Sequence, residues 1–416
     1  MGVGCRILLL GLLFLAAAGA ARGAERGLLV VAPEAAWIDA AAPLLDLRRA
    51  QGWRVSAEVL FRPDAHALGS LVARSRAADP ALSHVLLLGS DRTLPMARRP
   101  NLRIQGADSD VHGFTDDPYG TRGPDGVPQI AVGRIPFDNV WGIGRIAQKT
   151  LRYEAERGAL SSEVLLIVGR IPASREKALG LMSPQVLADQ AVRSILTGCL
   201  EQVRRLEVRV RTAFDGPGAF SFAEAPGMLA EELERRPWLW VYAGHAWPYG
   251  LSTFHSLSEP DSIKTADLFG AGLTEVTGPF ISTGCSMAAP SVVTSPFVNV
   301  LLVGFGGPPG AAVFTGVNED FWVAQWLQGL MRRVDELTAP TTLGDLILQS
   351  KRDMVAAPQS DLSVLVEQFM RSTGQLNPGQ APAYDAVVRR NNELLVILGD
   401  PCLSLGGPGA TRGARE

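Results

Sequence analysis

Residues 236–250 read RPWLWVYAGHAWPYG. The run Trp238–Ala243 has the length and β-rich apolar composition of a strand buried on both faces, yet it stops at Gly244 and a histidine. A second run of the same design, GPFISTG at 278–284, also ends in glycine and is followed at once by Cys285. The separation of 40 residues (285 − 245) suffices for a crossover between parallel neighbours. Parallel neighbours release both residues at the carboxyl edge of the sheet, where open α/β sheets bind ligands.

Eight further β-rich runs share this character. LLVVAP, WRVSAEVL, HVLLLGS and QIAVGRIP come earlier, VLLIVGR and LEVRVRTAF in the middle, and AAVFTGV and LLVILGD later. Between them lie amphipathic segments such as AAWIDAAAPLLDLRRAQG, where apolar residues fall at helical spacing and Gly52 stops the helix. Strands alternating with helices predict an α/β fold with a mostly parallel sheet covered on both faces. Residues 105–128, rich in Asp, Gly and Pro without periodicity, read as a long ordered loop. The chain changes character near 153–162, which divides it into an N-terminal α/β subdomain over 24–157 and a second over 158–406. A disordered tail is expected at 407–416.

The first residues read as an export signal. Arg6 supplies the charge, Ile7–Ala18 a short apolar core, and cleavage is expected after Ala20, Ala21 or Gly23, leaving residues 1–23 as signal peptide. The core is short for a membrane span, and an uncleaved anchor is the alternative. A secreted or periplasmic protein with no membrane association after cleavage is expected. With net charge −3 there is no basic surplus for nucleic acid. Cys199, Cys285 and Cys402 then remain, an odd number that is no disulfide framework.

A thiol and an imidazole released side by side form a nucleophile and its base. The turns after both strands also direct the backbone N–H groups of Cys285 and Ala246 toward an oxyanion. The plainer alternatives are a cysteine packed in the core and a histidine reaching solvent. Asp108, Asp110, Asp116, Asp117 and Asp125 offer hard oxygen ligands suited to Ca²⁺, although their spacing is no EF-hand. His66, His84, His112 and His255 show no zinc-ligand spacing.

The chain resembles the gingipain-type cysteine peptidases of the caspase-like clan. The likeness runs in order through residues 28–60, HVLLLGSDRTLP, SDVHGFTDDPYG, GPDGVPQIAVGRIP, YAGH, ISTGC, GGPPGAAVFTGVNEDFW and VILGDPCLSL. The resemblance implies two side-by-side α/β subdomains, Cys285 as nucleophile and His245 as its base. It also implies protein or peptide substrates, structural calcium held by Asp110, Asp116, Asp117 and Asp125, and no cofactor for catalysis. Trp322 occupies the place of an aromatic near the family's primary specificity pocket, with core packing as the alternative. The chain departs from the family pattern at Ala246, usually glycine, and in SMAAPS after the nucleophile. It departs again at Gln129, where the family has an acidic residue that orients the histidine; Gln129 is expected to accept from Nδ1–H of His245. The expected function is an exported cysteine endopeptidase. A sortase-like transpeptidase and a catalytically silent caspase-like module are the alternatives, the latter because glutamine cannot stabilise imidazolium by charge.

Overall fold

The computed structural model describes residues 26–99, 113–169, 184–213, 218–252, 262–289, 296–337, 341–368 and 384–406, less 222, 271, 317, 319, 362 and 365–366. Its strands, in chain order, begin with β1 (Arg26–Ala32), β2 (Trp53–Val59), β3 (Leu82–Leu88), β4 (Ala97–Arg99), β5 (Gly113–Thr115) and β6 (Ala131–Ile135). Next come β7 (Glu163–Val168), β8 (Glu207–Thr212), β9 (Leu239–Ala243), β10 (Ala246–Trp247), β11 (Gly250–Ser252) and β12 (Ser262–Lys264). The last are β13 (Phe280–Ser282), β14 (Ala311–Phe314) and β15 (Leu395–Leu398).

Ten of these form one sheet in the order β2-β1-β3-β6-β15-β14-β13-β9-β7-β8. They are the ten runs quoted above. Every neighbouring pair is parallel except β14 and β15. The sheet is thus two parallel blocks running in opposite directions, joined at one antiparallel seam. The strands from the first part of the chain occupy one side, and the C-terminal β15 adds to their edge beside β6. The sheet is continuous across the two subdomains expected from sequence.

Alternate residues along each inner strand feed opposite faces. Trp240, Tyr242 and Phe280 join the core under helices Ala35–Ala50, Val140–Glu156 and Phe297–Val303, whereas Leu239, Val241 and Ile281 join the opposite core. The edge strands β2 and β8 are largely exposed or half-buried and carry charges such as Arg54, Glu58, Arg209 and Arg211, which discourage pairing with another sheet. A buried ion cluster ties the end of β15 back to the N-terminal helices. Arg48 bonds Glu154 at 2.8 Å and Asp400 at 2.7 Å. Among the described residues no helix is long and apolar enough to cross a membrane.

Candidate active site

β9, β13 and β14 lie side by side and parallel, so their carboxyl ends share one edge. Tyr242 pairs with Ser282, and the ladder continues one step further with Thr283 N donating to Tyr242 O at 2.9 Å. Gly244 N then donates to Thr283 Oγ1 at 3.3 Å. The two strands therefore stay in register up to the residues that precede His245 and Cys285. The link between them is a small antiparallel sheet, β10-β11-β12, followed by helix Thr265–Gly270, rather than a single crossover helix.

Beyond the ladder the two turns touch. A Cβ placed on Gly284 would come 2.2 Å from Ala246 Cβ and 3.2 Å from Ala246 N. Real carbon contacts lie at about 3.5–4.0 Å, so only glycine allows this approach. Ala246, next to His245, thus packs on Gly284, next to Cys285. Below them the buried Tyr242 hydroxyl donates to His245 O at 2.7 Å and holds that turn. Burial, and then the nearby Cys285, push the Tyr242 phenol well above its ordinary value, so it remains a donor at neutral pH.

The third strand supplies a residue that sequence reasoning missed. Asn318, buried beyond the end of β14, donates from Nδ2 to Thr283 O at 2.6 Å. That bond sets the amide so that Oδ1 faces the thiol, and Cys285 Sγ donates to it at 3.0 Å. The signal was present, since FTG at 314–316 is a third strand ending in glycine. Ser286, immediately after Cys285, sits at φ 54° and is held by its N–H to Gly316 O at 3.0 Å. A left-handed non-glycine residue costs of order 1 kcal/mol, strain of the kind that collects where a turn must present a side chain. Cys285 is partly exposed while Cys199 and Cys402 are buried. Burial pushes the Cys199 thiol up to about 12, and burial with Asp400 beside it pushes Cys402 well above its usual value.

Three expectations need correction. Gln129 precedes β6 at the same edge of the sheet as His245, but β15, β14 and β13 lie between β6 and β9. Four inter-strand steps of about 4.8 Å put roughly 19 Å between them. Gln129 is exposed, packs beside Gly123, and does not orient the histidine. Trp322 is fully buried, stacked on Trp326 with ring centroids 5.8 Å apart and edge-on to Phe314, so it belongs to the core. Its neighbour Val323, with Leu327 one turn on, faces the cleft beside His245 instead.

The described aspartates are not gathered as calcium ligands. Both Asp116 oxygens take Arg134, at 2.9 and 2.7 Å, and Asp117 takes Lys351 at 2.5 Å. Burial raises Asp117 to about 6 despite that lysine. Asp125 accepts from Val127 N at 3.0 Å, which closes its own loop. Asp108 and Asp110 lie outside the described residues. Among the described residues no group of three or more His, Cys, Asp or Glu gathers as metal ligands.

The model of peptidase family C25 matches residues 23–406. The chain belongs to that family. Among solved structures, that of gingipain R, described as an Arg-specific cysteine proteinase, is similar with a TM-score of 0.63 and 14% identity, covering 91% of this chain and 78% of that one. A second structure, of a protease, gives 0.63 and 13% over the same shares. At such identities the likeness is one of fold, and it is the α/β gingipain fold. A comparison with curated proteins finds no match. This C25 chain is accordingly a cysteine peptidase.

Proposed function

We propose that this C25 peptidase is an exported endopeptidase working through a Cys285–His245 dyad. The observation that carries the reading is the packing of Gly284 against Ala246, which sets the ends of β13 and β9 side by side. His245 takes the Sγ proton, and the sulfur attacks the scissile carbonyl carbon to form a C–S bond. The backbone N–H groups of Cys285 and Ala246 hold the oxyanion. Collapse breaks the C–N bond, and His245 returns its proton to the departing amine. Water, deprotonated by His245, then hydrolyses the thioester and restores the thiol.

Tyr242 and Asn318 support this chemistry as positioning residues. One fixes the His245 turn and the other the direction of the sulfur. Gln129, four strands away from His245, is not part of this dyad. Export rests on the segment Arg6–Gly23, and the mature chain is expected to start between Ala21 and Ala24, in a secreted or periplasmic location. Digestion of a randomised peptide library tests the activity. Internal cleavage is expected from the wild type and none from Cys285→Ala or His245→Ala; cleavage that survives both substitutions would refute the dyad. Amino-terminal sequencing of protein from its native cell tests export, and a mature protein still starting at Met1 would refute cleavage of the signal.

A further inference from the structure

An open cleft lies at the carboxyl ends of β7, β9 and β13, with Gly244, His245 and Thr283 on its lining. Its walls are aliphatic. Val168 comes from the end of β7, Val192, Ile195 and Leu196 from helix Pro184–Glu201, and Val323 and Leu327 from helix Asp320–Asp335. None of its described lining residues is Asp, Glu, Lys or Arg. The Thr283 hydroxyl is already engaged, accepting from Gly244 N at 3.3 Å and lying 3.4 Å from Tyr242 O, to which it donates.

Geometry limits what can enter. A scissile carbonyl held at Cys285, with its leaving amine toward His245, has the side chain of the carbonyl-bearing residue beginning two bonds away. The cleft borders His245 and Thr283, the latter two residues before the nucleophile. We propose that this cleft receives that side chain and selects an aliphatic one, of the size of leucine or methionine. The inference rests on the peptidase reading above. An aliphatic chain exchanges water for apolar walls, whereas a guanidinium or ammonium would lose its hydration with no carboxylate among the described lining residues to meet it. The preference is thus opposite to that in the name of gingipain R, described as Arg-specific.

The test uses fluorogenic peptides identical except at the residue before the scissile bond, with Leu, Met, Arg or Glu there. The wild type is expected to cleave the Leu and Met substrates with kcat/KM at least about 100-fold above the Arg and Glu ones, a preference of the size burial can supply. Ile195→Asp is expected to narrow the gap between Leu and Arg by about tenfold, because the new carboxylate pairs with the cation. Cleavage that needs Cys285 but favours Arg would overturn the inference and leave the peptidase standing. If no substrate is cleaved, the peptidase reading fails, and protection of Cys285 from iodoacetamide by product peptides decides the cleft. Protection by a peptide ending in Leu, but not by one ending in Arg, supports it; equal protection or none overturns it.

Discussion

Replacing Gly284 by alanine puts a methyl group where Ala246 already stands. The new Cβ would lie 2.2 Å from Ala246 Cβ. Reaching even the close limit of ordinary carbon contact requires the two turns to part by about 1.3 Å. The ladder below them resists, because Tyr242 and Ser282 are paired and Thr283 N is bonded to Tyr242 O. The movement therefore falls on the residues beyond the ladder, which are His245 and Cys285. A misplacement of about 1 Å in a catalytic pair costs on the order of 100-fold. Gly284→Ala is accordingly expected to lower kcat/KM about 100-fold, equivalent to about 2.7 kcal/mol of barrier.

The control is a second substitution. Ala246→Gly removes the obstructing carbon, leaving Ala246 N and Ser282 Oγ, each 3.2 Å from the new Cβ, as the nearest atoms. A shift of a few tenths of an ångström accommodates those, so the double variant is expected to recover most of the lost activity. The assay is hydrolysis of a fluorogenic peptide, with urea unfolding of each variant to show that folded protein is compared. Full activity in Gly284→Ala, or a double variant no better than the single one, would refute the argued approach of the two strand ends.

Three further outcomes follow from the same geometry. Asn318→Asp places a carboxylate 3.0 Å from Cys285 Sγ and is expected to slow alkylation by iodoacetamide at pH 7 by about tenfold, since a negative neighbour disfavours the thiolate; an unchanged rate counts against the Asn318 contact. Lys351→Met leaves Asp117 buried without its cation, so urea unfolding is expected to show a loss of about 3–5 kcal/mol at pH 7. Burial raises the Asp117 carboxyl to about 6 even with Lys351 present, so its stabilising contribution is fully present below about pH 4 and is lost as pH rises through 6. The variant's deficit should therefore be smaller at pH 5 than at pH 7, and a pH-independent deficit would contradict the assignment. Because Arg134 and Lys351 already occupy Asp116 and Asp117, EDTA is expected to leave the melting temperature unchanged, and a fall restored by Ca²⁺ would refute that reading of the loop.

The sheet was legible because each inner strand is buried on both faces and so appears as an unbroken apolar run. The short strands β4, β5 and β10 to β12 were not, since two or three residues carry no periodicity. His245 and Cys285 could be found because each follows a strand that ends in glycine. Strand order, however, is long-range information that local pattern does not contain. Reading Gln129 as a partner of His245 failed on that point, because β15, from the far end of the chain, joins the sheet beside β6 with β14 and β13 beyond it. Trp322 failed on helical phase: residues 322 and 326 face the core while 323 and 327 face the cleft. Asn318 was missed because an asparagine just before a helix reads equally well as a cap.

The central claim is that Cys285 attacks substrate with His245 as its base. Acid quenching of the enzyme during turnover of a peptidyl ester, followed by mass mapping, tests it most directly. The predicted result is one acyl group, on Cys285, absent from Cys285→Ala and formed at least about 100-fold more slowly in His245→Ala. Product released with no acyl group on Cys285, or acyl groups spread equally over Cys199, Cys285 and Cys402, would contradict it.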